Sequence, residues 1–240
     1  MKLFIITGGS KGLGRALCEQ FMARDYKILE FSRSAPHEYS IRTDLADPEQ
    51  SRLTVANAIA SIDSSQLEEL IVVSNAGTLE PIGPTSSKSY SNLIKNMNTN
   101  FVSAVLVLTG VIAKFQAAAC RKVIVNISSG AALRDRAGWS LYCAAKAGME
   151  NFIRSLALEQ QARLQPFIPI NIDPGVIDTE MQALIRGTSP SDFPEVELFI
   201  QRKNQGLLVP PDKVAAAILR ILEQGSLSSG ERYKTSEYGG

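Results

Sequence analysis

The sequence has few of the residues that build metal centres or disulfide frameworks. It contains three cysteines, Cys18, Cys120 and Cys143, and one histidine, His37. The cysteines are odd in number and far apart, and no CxxC pair occurs. We therefore expect neither a metal site nor a disulfide-stabilised fold.

An excess of charge of one sign is also lacking. The chain has 25 Lys and Arg against 24 Asp and Glu, for a formal net charge of +1, and no basic block. Proteins that bind nucleic acids normally carry a basic patch that neutralises phosphates. The composition therefore argues against a nucleic-acid partner and favours a small molecule.

Long hydrophobic runs are missing as well. The first apolar run, residues 3–6, is shorter than the core of a signal peptide, and no stretch approaches the roughly 18 apolar residues of a membrane span. We therefore expect a cytoplasmic protein with no membrane partner. At 240 residues, 45% of them hydrophobic and 20% charged, the chain is of a size for one large domain.

What the sequence does have is a series of short apolar runs separated by segments of helical period. The runs cover residues 3–6, 27–31, 70–74, 123–127 and 167–172. Near-continuous apolar strands alternating with helices are typical of a parallel sheet buried on both faces. The pattern predicts an α/β fold, a doubly wound parallel sheet flanked by helices. Residues 1–125 form the expected cofactor half, and residues 126–240 the catalytic and substrate half.

Four further segments are interpreted from local pattern. Apolar residues at helical spacing from Leu93 to Ile112 predict one long helix, and Asn100 lies in its apolar stripe. The loosely patterned residues 179–211 are interpreted as a mobile flap. A helix over residues 212–223 is predicted to be N-capped by Asp212, and the residues ERYK at 231–234 to add an edge strand.

The stretch TGGSKGLG, residues 7–14, follows the first predicted strand and opens a helix. The N-terminus of such a helix offers unpaired N–H groups and a positive dipole end, which suit a pyrophosphate. Gly8 allows a tight turn, Gly12 admits the ligand and Gly14 lets the helix approach the sheet. Alone, this spacing would also fit an ordinary strand-to-helix turn.

Further motifs occur in order: SNAG at 74–77, NISSGA at 126–131, YCAAK at 142–146 and DPGV at 173–176, followed by Thr179. Together with TGGSKGLG they resemble the motifs of the short-chain dehydrogenase/reductase family over nearly the whole chain, with Ser74 in place of the family's first Asn. The resemblance implies a single Rossmann-like domain, a nicotinamide cofactor and a homodimer or homotetramer. The second half is similar to sepiapterin reductases and bacterial benzil reductases, which implies NADPH-dependent reduction of a ketone, often in a vicinal dicarbonyl.

The resemblance implies four catalytic residues: Asn100, Ser129, Tyr142 and Lys146. Tyr142 would donate the proton, and Lys146, one helical turn away, would lower the pKa of the phenol and hold the ribose hydroxyls. Ser129, favoured over Ser128 by the family spacing, would bind the substrate oxygen. Asn100 would hold a water that relays protons. Without the other motifs, Asn100 would be interpreted as a helix-kinking core residue, and Tyr142 and Lys146 as part of an ordinary amphipathic helix.

The motifs also imply which residues bind the cofactor. Arg33 stands where NAD-binding folds usually place an acid, so Arg33 and Lys11 are expected to contact the 2′-phosphate of NADP(H), although Glu30 argues for NAD. Asp44 fits both an adenine contact and a loop or cap residue. The full cofactor set is Gly8, Ser10, Lys11, Gly12, Leu13, Gly14, Ser32, Arg33, Asp44, Leu45, Asn75, Ala76, Gly77, Tyr142, Lys146, Pro174, Gly175, Val176 and Thr179.

The substrate, a small carbonyl compound, is expected to contact Ser129, Trp139, Tyr142, Met181 and Gln182, although Trp139 alone would also fit a packing role. Sepiapterin reductases hold the pterin with an acid near the C-terminus. Here only Glu231 and Glu237 offer a carboxylate in that region, with no clear equivalence, which favours a general dicarbonyl or ketone reductase. A sensor that binds NADP(H) without turnover and an NAD-linked alcohol dehydrogenase are the alternatives.

Overall fold

Strands and helices alternate along the chain as expected, and the computed structural model describes all 240 residues. The strands are β1 (Lys2–Thr7), β2 (Tyr26–Ser32), β3 (Ser40–Arg42), β4 (Glu69–Ser74), β5 (Arg121–Ile127), β6 (Ile168–Asp173) and β7 (Arg232–Lys234). The helices are α1 (Gly12–Met22), α2 (Pro48–Ala60), α3 (Tyr90–Met97), α4 (Ser103–Phe115), α5 (Ser140–Gln161), α6 (Glu180–Arg186), α7 (Val196–Asn204) and α8 (Pro211–Leu222).

The seven strands form one parallel sheet in the order β3-β2-β1-β4-β5-β6-β7. The chain starts in the middle of the sheet, runs outward to β3, and then returns to β4 on the other side of β1. In open α/β sheets, ligands bind beyond the carboxyl ends of the strands at such a reversal. The register places Thr7 beside Ser74 and Ser74 beside Asn126, so three strands end together at this point.

Alternate residues of the central strands pack on opposite faces of the sheet. Leu3 and Ile5 of β1 belong to a core cluster covered by α2, α4 and α5. Phe4 and Ile6 belong to a second cluster covered by α1 and α8. Both faces of the sheet are therefore buried by helices, which confirms the predicted doubly wound, Rossmann-like architecture.

The long helix predicted before the fourth apolar run is continuous from Tyr90 to Phe115 but changes its hydrogen bonding in the middle. A π-turn over Asn98–Val102 separates α3 from α4 and contains Asn100. By length and composition, this stretch of 26 residues could cross a membrane. The expectation that no segment approaches a membrane span was therefore wrong by this criterion. The stretch is so apolar because α4 is a core helix, with Val107, Val111 and Phe115 buried against the sheet.

Two local predictions, of a helix N-cap and of the edge of the sheet, need correction. Asp212 does not cap α8, because Pro210 occupies the N-cap position and Asp212 lies in the first turn. The short edge strand β3 was not predicted, since its three residues carry no apolar run. The predicted edge strand at the C-terminus is present as β7, and residues 179–211 contain α6 and α7.

Candidate active site

The glycine turn between β1 and α1 presents backbone amides to the end of the sheet. Gly8 has φ +73°, and a Cβ on Gly14 would lie 2.1 Å from the carbonyl oxygen of Gly8, so only glycine fits there. Asn75 holds the turn by donating from Nδ2 to the oxygens of Gly8 at 2.8 Å and Thr7 at 3.2 Å. The N-cap residue Lys11 makes no side-chain capping bond, and the first turn of α1 contains no acid. The free amides and the dipole of α1 therefore suit the pyrophosphate of a dinucleotide.

A cleft of about 1740 Å³ opens at this end of the sheet. Single small-molecule pockets are usually about 300–1,000 Å³, so the cleft has room for a dinucleotide and a second molecule. The cleft is lined by every residue predicted to bind cofactor or substrate. Among the predicted site residues, only Asn100 lies outside the lining.

The two adjacent serines at the end of β5 have different environments. The Ser128 hydroxyl is buried and donates to the carboxylate of Glu150 on α5. Ser129 lies on the cleft wall, where its hydroxyl oxygen accepts a hydrogen bond from the Ala131 amide at 3.1 Å and keeps its own proton for donation. Ser129 is thus the serine placed to bind a substrate oxygen.

Tyr142 lies on α5 beside Ser129 and is only 7% exposed. Burial raises the pKa of the phenol to about 12, and a hydrogen bond with Ser129 opposes part of that rise. The expected lowering of the phenol pKa by Lys146 was wrong for this structure, because burial is the largest effect. Tyr142 therefore holds its proton throughout the neutral range.

Lys146 follows one turn later on α5, with its Nζ atom 5.6 Å from the centre of the Tyr142 ring. Its ammonium donates to the carbonyl oxygen of Ile127 at 2.7 Å. Burial lowers the pKa of Lys146 to about 8, and the charge of Glu150 acts in the opposite direction. The lysine is a buried cation that loses its proton in a mildly alkaline range.

Asn100 lies beneath the cleft rather than on its wall. Its amide donates to the Thr78 carbonyl oxygen at 2.8 Å and its Oδ1 accepts from the Thr78 amide at 2.8 Å. Asn96, one turn earlier, accepts a further bond from Asn100 at 3.0 Å and itself donates to the Glu80 carbonyl oxygen at 2.8 Å. The pair fixes the loop after β4. Sequence reasoning missed Asn96, although its spacing of four residues from Asn100 was a readable signal.

The adenosine end of the cleft contains one cation without an ion pair and one acid whose carboxylate oxygens both accept hydrogen bonds. Arg33 is exposed and makes no ion pair. Glu30 is fully buried, where it accepts from the Gly9 amide at 2.8 Å and from the Ser32 hydroxyl at 3.0 Å. Lys11 pairs with Glu180 at the start of α6. Thr43 also lines this end, and its buried hydroxyl has no hydrogen-bond partner.

The structure leaves Asp44 two of its predicted roles, an adenine contact and a loop residue. One oxygen of its carboxylate accepts from the Ala46 amide at 3.0 Å within the loop after β3. The N-cap of α2 is Asp47, which accepts from the Gln50 amide at 3.1 Å. Asp44 therefore does not cap the helix, and it lies on the cleft wall beside the buried Leu45.

The substrate end of the cleft is built around an aromatic cluster of Trp139, Phe193 and Phe199. The rings of Trp139 and Phe193 stack with centroids 4.7 Å apart, and Tyr142 meets Trp139 edge-on at 5.9 Å. Arg136 lies over both Trp139 and Phe199 at 5.5 Å. The two phenylalanines were missed because they come from the loosely patterned segment in and before α7. Both are buried, 0% and 4% exposed, and Phe199 lines the cleft beside Trp139.

The candidate acids near the C-terminus do not reach the cleft. Glu231 and Glu237 are exposed, and Glu237 lies 3.8 Å from Lys234. Arg232 and Lys234 of β7 line the cleft instead. Arg232 is paired there with Asp173, which also lines the cleft.

A doubly wound sheet, a glycine turn and a Ser–Tyr–Lys cluster at one cleft define a nucleotide-dependent oxidoreductase. The chain belongs to the short chain dehydrogenase family, whose model matches residues 2–189. Members of this family bind nicotinamide cofactors.

Individual relatives agree with this assignment. The chain is 35% identical over 243 residues to the benzil reductase ((S)-benzoin forming) of Bacillus subtilis, covering 99% of this chain and 100% of that protein. It is 30% identical over 255 residues to the sepiapterin reductase of Rattus norvegicus, covering 94% and 93%. A crystal structure of a short chain dehydrogenase/reductase from Saccharomyces cerevisiae shares the fold, with a TM-score of 0.81 at 21% identity over 100% of both chains.

Proposed function

We propose that the protein is an NADPH-dependent carbonyl reductase that acts on one ketone of a vicinal dicarbonyl compound of the benzil type. The observation that carries the proposal is the placement of Ser129, Tyr142 and Lys146. They lie between the glycine turn, which suits a dinucleotide, and the aromatic cluster, which suits an aryl ketone. The 35% identity to a benzil reductase supports the same reaction.

The chain's own residues provide the proton and the stabilisation of charge. The bound cofactor would supply the hydride. The Ser129 hydroxyl donates a hydrogen bond to the ketone oxygen, which orients the carbonyl and shares the negative charge that develops there. Tyr142 gives its proton to that oxygen, and the Lys146 ammonium stabilises the tyrosinate that remains.

Arg33 supports the preference for NADPH over NADH. Its guanidinium is free at the adenosine end and can form a charge-assisted bond with a 2′-phosphate. Glu30 is the main argument for NAD, but both of its carboxylate oxygens already accept hydrogen bonds, from the Gly9 amide and the Ser32 hydroxyl beneath the turn. An acid held in this way does not compete for the ribose hydroxyls.

The pocket supports an aryl dicarbonyl more than a pterin. Trp139, Phe199 and Met181 provide an apolar and aromatic wall. A pterin ring carries several hydrogen-bond donors, and the carboxylate at the C-terminal end of the site, Asp173, is already paired with Arg232 and accepts from the Gly175 amide. A benzil-like diketone needs no such acceptor.

The test is to measure cofactor oxidation with benzil, sepiapterin and acetophenone, each with NADPH and with NADH. We expect turnover of benzil with NADPH and much slower turnover with NADH. Turnover of sepiapterin alone would overturn the substrate class. A preference for NADH would favour an NAD-linked alcohol dehydrogenase, and tight NADPH binding with no turnover would favour a sensor.

A further inference from the structure

Arg232 connects three parts of the active site from the edge strand β7. Its side chain is 17% exposed, and its Nε atom donates to Glu150 Oε1 at 2.7 Å. One terminal nitrogen donates to Asp173 Oδ2 at 2.9 Å and to the carbonyl oxygen of Ser129 at 3.2 Å. A single guanidinium thus touches α5, the end of β6 and the end of β5.

Each of these partners belongs to a different part of the site. Ser129 is the residue placed to bind the substrate oxygen. Asp173 begins the turn of residues 173–176, and its other carboxylate oxygen accepts from the Gly175 amide at 3.1 Å. Glu150 follows Lys146 by one turn of α5 and also accepts a hydrogen bond from the Ser128 hydroxyl.

Glu150 requires a partner because its side chain is only 3% exposed. A buried carboxylate is strongly disfavoured unless it is paired and hydrogen-bonded. Its other cation is Arg154, at 3.8 Å and with 53% of its side chain exposed, which contacts neither Ser129 nor Asp173. Only the planar, multidentate head of Arg232 can hold all three acceptors, and a lysine at that position would hold fewer.

We propose that Arg232 is a positioning residue for the reduction: it holds the Ser129 segment and the turn of residues 173–176 together and neutralises Glu150 beside Lys146. The inference rests on the proposed function for its kinetic consequence. The electrostatic consequence can be measured in the protein without cofactor or substrate.

The charges around Lys146 determine whether its pKa rises or falls when Arg232 or Glu150 is replaced. Tyr142 and Glu150 lie beside it on α5, and Glu150 is paired with Arg232 of β7, which also holds Asp173 of β6. Glu150 favours the protonated lysine. Loss of Arg232 leaves Glu150 with Arg154 as its only cation, so the less neutralised carboxylate should raise the pKa of Lys146. Loss of the Glu150 charge should lower it, each by about one unit.

The kinetic test compares Arg232→Met, Arg232→Lys and the control Arg154→Met with benzil and NADPH. We expect R232M to lower kcat about 10- to 100-fold while the KM for benzil changes less than about threefold, since a misplaced Ser129 loses contacts made in the transition state. R232K should recover only part of kcat. R154M should match the wild type. Equal kcat values for R232M and the wild type would overturn the proposal.

The second test titrates Lys146 by NMR in cofactor-free protein with isotope-labelled lysine side chains, the signal being assigned by its loss in Lys146→Met. R232M and Glu150→Gln should shift the pKa in opposite directions, and the R232M/E150Q double variant should return near the wild type and fold normally. R232K should leave the pKa near the wild-type value. Shifts of the same sign in both single variants would contradict the role of Arg232. Because no turnover is needed, this result is independent of whether benzil is the substrate.

Discussion

The buried ammonium of Lys146 should destabilise the folded protein at neutral pH, so Lys146→Met should increase the free energy of unfolding. The pKa of Lys146 falls from 10.5 to about 8 because burial disfavours its charge. At about 1.36 kcal/mol per pKa unit, this shift corresponds to about 3 kcal/mol. K146M should therefore be more stable than the wild type by up to about 3 kcal/mol at pH 7, and should have lost its catalytic activity.

The sign of the pH dependence follows from proton binding. Between the folded pKa of about 8 and the unfolded value of 10.5, the unfolded chain binds more protons at Lys146 than the native protein does. The contribution of this residue to stability therefore rises with pH over that window. The advantage of K146M should be complete below about pH 8 and should have nearly disappeared above about pH 10.5.

The assay is urea denaturation of the cofactor-free wild type and K146M at several pH values from neutral to alkaline. Lys213→Met, at an exposed position on α8, serves as the control for loss of a lysine. Comparing the variants at each pH cancels the titration of groups distant from Lys146. If K146M were less stable than the wild type at pH 7, or if its advantage did not change with pH, the assignment of Lys146 as a buried, destabilised cation would be refuted.

Three further predictions concern the cofactor and the pocket. Arg33→Ala should raise the KM for NADPH about 10-fold or more and leave the KM for NADH nearly unchanged, because only NADPH carries the 2′-phosphate. Arg42→Ala, at an exposed position outside the cleft, is the control. Equal effects of R33A on the two KM values would count against the assignment. Gly14→Ala should destabilise the protein by about 1–3 kcal/mol in urea denaturation, since the new Cβ would lie 2.1 Å from the Gly8 oxygen. In the control Gly110→Ala the new Cβ meets no atom within 4 Å, so this variant should keep the stability of the wild type. Equal stabilities of the two variants would refute the close contact at Gly14. Trp139→Leu should raise the KM for benzil about 2- to 10-fold with little change in the KM for NADPH, and an unchanged KM for benzil would remove Trp139 from the pocket wall.

The sheet and the glycine turn could be predicted because their determinants are local. Five apolar runs predicted five of the seven strands, and the glycines at residues 8 and 14 occupy positions where backbone geometry excludes a side chain. Tyr142 and Lys146 were placed on the same side of one helix by their spacing of four residues. Such features depend on neighbours in the chain.

Other features depend on contacts between distant segments and could not be predicted. The phenol pKa of Tyr142 was predicted in the wrong direction, because the sequence shows the nearby lysine but not the depth of burial. The three contacts of Arg232 join residues separated by 59 to 103 positions. Glu30 argued for NAD in the sequence, which does not show that its carboxylate accepts two hydrogen bonds beneath the turn.

The most direct test of the account is the rate of NADPH oxidation with benzil for the wild type and Tyr142→Phe, with Tyr90→Phe, 84% exposed on α3, as the matched control. Y142F should lose about 100-fold or more of kcat while it folds and binds NADPH normally, because only the proton donor is lost. Y90F should match the wild type. Turnover by Y142F at the wild-type rate would contradict the central claim that the Tyr142 hydroxyl protonates the substrate.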